Sequence, residues 1–523
     1  SRTYADALSL LDTLIPNTKV QALFGKPQTA VPGSPPPASD PNLLAIPEMR
    51  AWLLRANLTP QRLSALSCIH VAGTKGKGSV AALTTSALLA AARSGSGPGP
   101  GPGRVGTYTS PHLVTPRERI AIDGRPVSQP LFAAAFFELW DLLSACPAAD
   151  RDDDDDDAGG VLAGLPAGAK PFYFRFLTLL AFHIFLREGV RSVVLECGIG
   201  GEYDATNAAV VGHAAGYGGA AVTAAVITQL GVDHVAMLGD TPEAIAWHKA
   251  GIMKPGVPAF TRRLDDRPAV MAVLRARARE AGARLVEVPD ADVDAWPGVP
   301  AGTAKLPGGA FQKRNQALAA LAAAHHLRAD ADVRGMLRDV PEAVVAGLRE
   351  ATLRGRHEVL ERGDVSWHLD GAHNADSLAE VAGWMAGVVA AAADTTTKFV
   401  LVFNQQERDA SALLLGLLQE MESAGVDVAS RLDAAIFTRN DKTSGGGGGG
   451  AEDVAVQERC AAAFREAYPG VETLVCGDLT EMKGAVDAIA AATQPNTKTR
   501  VLVTGSMYLV GNVIGLLEPD GLL

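Results

Sequence analysis

A chain of 523 residues with 47% apolar composition exceeds the size at which one hydrophobic core stops growing, so a globular protein of two domains is the first expectation. Against 58 acidic residues stand 47 basic ones, a balance of −11 to which Asp152–Asp157 alone contribute six charges; this argues against a broad basic face for nucleic acid, but not against an anionic small molecule met by a few local cations. No apolar run reaches the ~18 uninterrupted residues of a membrane span, and the five cysteines, Cys68, Cys146, Cys197, Cys460 and Cys476, lack CxxC spacing, so neither a disulfide framework nor a zinc site is indicated and a reducing compartment is the simpler reading.

The chain opens on Ser1 rather than Met, which reads as a trimmed or processed form and leaves a removed targeting peptide open. In chain order, strand-like runs CIHVAG (68–73), RVGTYTS (104–110), RSVVLECG (191–198), AAVITQLG (224–231) and VPAFT (257–261) alternate with helical patterns. A second series follows: VSWHLDGAH (365–373), KFVLVFN (398–404), DAAIFT (433–438) and RVLVTGSM (500–507), with Ala- and Leu-rich helices between. Such alternation predicts βαβ units and parallel sheets covered on both faces. The expected architecture is therefore α/β, with a P-loop-type parallel-sheet ATPase domain over residues 1–350 and a smaller Rossmann-like α/β domain over 351–523. The Pro-rich 27–41, GSGPGPGPG (95–103), the acidic run with its flanks (150–169) and the six glycines 445–450 read as insertions unable to bury enough apolar surface to order themselves. For the acidic run, a solvated loop and a cation site are the alternatives.

The first candidate for chemistry is HVAGTKGKGSV (70–80), where an apolar strand enters a loop of Gly73, Thr74, Lys75, Gly76, Lys77 and Gly78, and Ser79 opens a helix. Successive backbone N–H groups ahead of a helix N-terminus form a concave anion site, and Lys77 adds a point charge for the β- and γ-phosphates. The loop departs from GxxxxGK[ST] because Gly78 separates Lys77 from the hydroxyl residue.

Glu196 ends VVLE just before CGIGGEYDATN, and a carboxylate at a parallel strand's C-terminal end beside a phosphate loop suits Mg²⁺; a solvated loop acid is the alternative. Ser110 in YTSPHL and His234 in LGVDH follow other predicted strands in the same way. Each alone would be a turn residue or a satisfied histidine, and their recurrence is what raises them. Lys249 and Lys254 in IAWHKAGIMKPG read by pattern as solvated helical lysines, His183 as a core residue, and His325 and His326 as structural, without companions. Arg356 in GRHEVL and Asp370 in LDGAHN fall on adjacent strands. They either pair with each other or reach across a cleft to ATP, the guanidinium on phosphate and the carboxylate on ribose.

In this order the motifs HVAGTKGKGS, YTSPHL with RERI, YFRFLTLLAFHIF, LECGIGGEYDATN, ITQLGVDHVAMLGDTPEAIAWHKAGIMKPGVPAFT, GRHEVL, LDGAHN, FNQQERD and LVTGSMYLVG resemble the Mur-ligase-type ATP-dependent amide ligases, and among them the folylpolyglutamate synthases, over roughly residues 60–515. Lys75 in the loop and Arg175 in FRFLT, where bacterial relatives have Asn and Glu, favour the eukaryotic type. The resemblance implies transfer of the ATP γ-phosphate to a folate's terminal carboxylate, then displacement of phosphate by the amine of L-glutamate to give a γ-linked amide. Dihydrofolate synthase and a bifunctional enzyme are the near alternatives; a P-loop switch ATPase and a muramyl-peptide ligase are more distant. It further implies Gly76, Lys77, Gly78 and Ser79 on the ATP phosphates, Ser110 and Glu196 on one Mg²⁺, and His234 on a second. Lys249 would be a carbamylated second-metal partner, Gln312 and Asn315 would lie near the adenine, and Arg356 and Asp370 would contact ATP. Phe311 stands where bacterial relatives have histidine, and His373 belongs to DGAHN without a defined role. The cofactors implied are ATP, two Mg²⁺ ions and a monovalent cation such as K⁺. The partners are small molecules only, for a cytoplasmic monomer with a mitochondrial form beside it.

Overall fold

The computed structural model describes residues 2–14, 41–95, 101–147, 166–212, 219–231, 235–300, 302–306, 308–328, 337–392, 397–406, 409–441, 454–492 and 498–518, without the side chains of 41, 235, 236 and 328. His234, the six glycines 445–450 and most of the other three insertion-like segments lie outside these residues. Two compact units divide the chain. The first holds 1–112, 116–305 and 309–352; the second holds 113–115, 306–308 and 353–523.

In the first unit, among the described residues, nine strands form one sheet: β1 Ser67–Ala72, β2 Val105–Tyr108, β3 Ile120–Ile122, β4 Arg125–Pro126, β5 Ser192–Glu196, β6 Val210–Val211, β7 Ala220–Ile227, β8 Pro258–Arg262 and β9 Arg284–Val288. Their order is β4-β3-β2-β5-β1-β7-β8-β9, with β6 paired to β7. All neighbours are parallel except β2–β3 and β3–β4, an antiparallel edge that the alternation of strands and helices does not announce. Central β1 runs beside β5 in a register that sets Val71 opposite Glu196, and beside β7 with Ala72 opposite Ile227. These alignments bring the ends of three strands, and the loops that follow them, to one edge of the sheet.

One face of this sheet is covered by an aromatic core. Phe132, Phe136, Phe176, Phe182 and Phe185, from the helices Gln129–Ala145 and Tyr173–Arg187, are fully buried with Val193 and Leu195 of β5. Alternation along the strand turns Val194 and Glu196 the other way. There the helix Lys77–Ser94 packs with Ala310–Arg328 and Glu342–Glu350. The contact at Gly347 is so close that a Cβ there would stand 2.5 Å from Ala87 Cα, and Ser86 Oγ donates to the Gly347 carbonyl at 2.7 Å.

The second unit is a six-stranded sheet among its described residues: β10 Glu358–Arg362, β11 Val365–Leu369, β12 Lys398–Phe403, β13 Ala434–Thr438, β14 Glu472–Cys476 and β15 Thr499–Thr504, in the order β10-β11-β15-β12-β13-β14. Only β10–β11 is antiparallel. Two apolar cores, one around Phe399, Phe403 and Phe464 and the other around Trp367, Val402 and Ile514, enclose the sheet. Among the described residues no helix is long and apolar enough to cross a membrane.

Candidate functional site

The phosphate-type loop is built as the sequence predicts. β1 ends at Ala72, and the helix starts at Lys77 with Gly76 as its N-cap in the left-handed region (φ 83°). Gly73 has φ 154°, and a Cβ on it would fall 1.8 Å from Thr228 Oγ1, so no larger residue fits. The loop is fastened to the end of β7: Thr74 N and Lys75 N donate to the Gln229 carbonyl at 2.9 and 3.2 Å, and Thr228 Oγ1 donates to the Lys75 carbonyl at 2.6 Å. Thr74 Oγ1 donates to the Gly231 carbonyl at 2.9 Å. Lys77 bends back over the loop, its Nζ donating to the Gly73 carbonyl at 3.0 Å. Gly78 and Ser79 lie half-buried in the first helical turn.

Two predicted residues of the long helix meet this loop. Asn315 and Gln312 are buried, and Asn315 Nδ2 donates to Gln312 Oε1 at 2.7 Å. Asn315 Oδ1 would stand 2.7 Å from a Cβ on Gly76, so this amide pair caps the side of the loop.

Glu196 is 3% exposed at the end of β5, and its Oε2 accepts the Ser110 N–H at 3.0 Å. The predicted Mg²⁺ pair is thus brought together beside the loop. Its donors are hard oxygens, a carboxylate and a hydroxyl. Among the described residues no cluster of three His, Cys, Asp or Glu side chains forms a protein cage. Such a sparse set fits Mg²⁺, which keeps waters and substrate phosphates among its ligands.

The loop after Glu196 is held by a buried polar relay that sequence reasoning quoted within CGIGGEYDATN but did not single out. Asp204 Oδ2 accepts from Gly198 N and Ile199 N at 2.9 and 3.0 Å, and its Oδ1 accepts from Thr206 Oγ1 at 2.6 Å. With the Thr206 hydrogen committed to Asp204, His70 Nε2 is the donor in its 2.9 Å contact with Thr206 Oγ1. Burial holds the His70 imidazole neutral, pushing its pKa down to about 3, and burial raises Asp204 against four hydrogen bonds that lower it. The relay ties β1, which delivers the phosphate loop, to the loop that follows the candidate metal carboxylate.

Lys249 is only 2% exposed, in the last turn of the helix Pro242–Ala250, so the solvated-face alternative does not hold for it. Lys254 lies beyond that helix, with Nζ donating to Asn207 Oδ1 at 2.7 Å; burial lowers its pKa to about 8. His183 is not a core residue. Its Nε2 stands 3.0 Å from Glu138 Oε2 at the helix flank. His326 is structural but has companions, Thr223 Oγ1 at 2.6 Å and Ser192 Oγ at 2.8 Å. His325 stacks edge-on against Phe260 at 6.3 Å. Arg175 pairs with Glu48 at 2.5 Å, so this cation finds its acid on another helix. In YTSPHL, His112 Nδ1 accepts from Arg119 Nε at 2.8 Å, and burial lowers that imidazole to about 4.

In the second unit Arg356 Nη1 stands 4.0 Å from Asp370 Oδ1, at the limit of an ion pair. Asp370 is held firmly: its Oδ2 accepts His357 N at 2.9 Å and its Oδ1 accepts Ala372 N at 2.9 Å. His357 has φ 44° and stacks on Trp384 at 4.6 Å, which lets the chain turn sharply after the half-exposed Arg356. His373 Nδ1 lies 3.1 Å from the Gly371 carbonyl, and its own carbonyl accepts from Gln405 Nε2 at 3.2 Å.

No family model matches the chain. A folylpolyglutamate synthase of Neurospora crassa is 36% identical over 531 residues, 99% of this chain and 92% of its own length. One from Saccharomyces cerevisiae is 33% identical over 532 residues, 98% of this chain and 86% of its own. Among solved structures, Mycobacterium tuberculosis folylpolyglutamate synthase complexed with ADP and AMPPCP is 26% identical with a TM-score of 0.62, across 91% of this chain and 96% of its own. Identity at this level, sustained through both units, carries the same conclusion as the loop, its adjoining carboxylate and the amide pair beside them: the chain belongs to the folylpolyglutamate synthase family.

Proposed function

We propose that the chain joins L-glutamate through γ-amide bonds to folate and folylpolyglutamates at the expense of ATP, by way of an acyl phosphate. The observation that carries this reading is the GTKGKGS loop, opening a helix beside the buried Glu196, which accepts the Ser110 N–H. Family membership supplies the acceptor and the amino acid.

Gly73, Thr74, Lys75, Gly76, Lys77, Gly78 and Ser79 would bind the ATP phosphates through backbone N–H groups and the Lys77 ammonium. Gln312 and Asn315, against Gly76, would orient the nucleotide, and Arg356 and Asp370 are assigned to ATP on the motif resemblance. Ser110 and Glu196 would hold a first Mg²⁺, and His234 a second with a carbamylated Lys249. Bound metal would neutralise the phosphates and align them, while the protein's own groups fix the reacting carboxylate, phosphate and amine in one geometry. A monovalent cation such as K⁺, a cytoplasmic monomer and a mitochondrial form beside it belong to the same reading.

Purified protein with MgATP, L-glutamate and tetrahydrofolate monoglutamate tests it. The expected product is one or more glutamates heavier by mass spectrometry, with one phosphate released per bond. Extension of dihydropteroate alone would instead make the chain a dihydrofolate synthase.

A further inference from the structure

Two segments of the site interlock with almost no free space. Gly201 lies against the end of the Lys249 helix, where a Cβ would stand 2.7 Å from the His248 carbonyl oxygen and 3.0 Å from that of Lys249. From the other side, a Cβ on Gly251 would stand 2.4 Å from Glu202 Cα, and Glu202 N donates to the His248 carbonyl at 2.8 Å. Side chains cross this seam as well, the Tyr203 ring lying 6.3 Å from that of Trp247 and 5.8 Å from that of His248. Asn207, 8% exposed, donates from Nδ2 to the Glu202 and Gly251 carbonyls, both at 3.1 Å, and accepts the Lys254 ammonium at 2.7 Å. Through these three hydrogen bonds the amide joins the loop after Glu196, the end of the Lys249 helix and the KPG turn. Glu202 is anchored outward by Arg277, whose guanidinium covers the Trp247 ring at 4.5 Å.

We infer that Asn207 and Lys254 are positioning residues, a clasp that fixes Lys249 relative to Glu196 and so sets the metal and phosphate end of the site. The inference rests on the proposed roles of Glu196 and Lys249. Two backbone carbonyls need two N–H donors, and a lysine needs an acceptor; only Asn or Gln offers both. Asp at this position would keep the acceptor, lose both donors, and place a second carboxylate near Glu202. Neither Asn207 nor Lys254 needs to touch substrate. Their effect passes through the geometry of the groups they hold, as with the outer partners of metal ligands.

The test uses the full chain with Asn207→Asp, Asn207→Ala, Lys254→Met and Lys254→Arg, read by Mg²⁺ activation midpoint, kcat, KM for folate, calorimetric MgADP binding and Tm. For Asn207→Asp, Asn207→Ala and Lys254→Met, the expected result is a Mg²⁺ midpoint raised, and kcat lowered, by about 10- to 100-fold, with MgADP bound more weakly and KM for folate within about twofold. Lys254→Arg, which keeps a cationic donor, recovers part of the loss. If Mg²⁺ midpoint and kcat stay within about twofold, or if every kinetic constant merely follows the folded fraction given by Tm, the clasp is structural only and the inference is overturned. Glu196→Ala and Lys249→Ala are measured alongside. Near-parental activity in those two would sink the underlying site reading instead, so the two failures are told apart.

Discussion

At the scale of single residues, the phosphate loop was legible because glycine and lysine placement encodes backbone geometry directly. Gly73 was legible as a loop glycine, but its reason, Thr228 Oγ1 within 1.8 Å of a would-be Cβ, depends on a residue far along the chain. Gly73→Ala is therefore expected to disrupt the loop's attachment to β7, lowering Tm and weakening ATP binding together. An unchanged nucleotide affinity by calorimetry would refute that coupling. Lys77→Ala removes the one loop cation whose ammonium curls over the Gly73 carbonyl. Its kcat/KM is expected to fall at least about 100-fold with fold intact, as for loss of a preorganised electrostatic group; activity within tenfold of the parent would count against the loop's role. Lys249 and Lys254 show where pattern fails. Their stretch suggests a solvated face, yet Lys249 is 2% exposed and Lys254 is half-buried with its ammonium on Asn207, while Gly201 packs closely on the Lys249 carbonyl, none of which a local pattern reveals.

At the scale of elements, most of the parallel strands were read from their β-branched runs, whereas β3, β4, β6, β9 and β14 were not. β3 and β4 are two or three residues long, and β9, RLVEV, is an edge strand of mixed polarity, so neither carries a strong periodic signal. The polar contacts between elements were equally hidden. His326 joins the helix Ala310–Arg328 to β7 through Thr223 and to β5 through Ser192. Burial lowers its pKa from 6.5 to about 4, so below pH 6.5 the unfolded chain binds the proton first. Stability from this site is complete above pH 6.5 and is lost as pH falls toward 4, by up to about 3 kcal/mol. His326→Gln should lower Tm at neutral pH yet flatten its decline between pH 6.5 and 4. Parallel Tm–pH curves for parent and variant, from calorimetry, would show that the imidazole does not contribute this dependence.

At the scale of the whole molecule, the order of motifs carried the family while most of the geometry joining them was silent. GTKGKGS reads as a phosphate-binding loop. GRHEVL and LDGAHN, more than 270 residues later, distinguish a ligase from a P-loop switch. The two classes differ in what licenses phosphate transfer. In a switch, water is the acceptor and ATP turns over without another substrate. In a ligase, the γ-phosphate waits for a positioned carboxylate, and the acyl phosphate waits for an amine, so binding energy from both substrates is needed before chemistry proceeds. Phosphate release from MgATP alone is expected to stay below about 1% of the full rate, rising only when folate and L-glutamate are both present. In the same assay, if Arg356 and Asp370 have the ATP role proposed for them, Arg356→Ala and Asp370→Ala should raise KM for ATP while the dependence on acceptor persists. Steady acceptor-independent turnover by the parent chain would instead favour the switch, and would leave the second unit's two motifs without a chemical role.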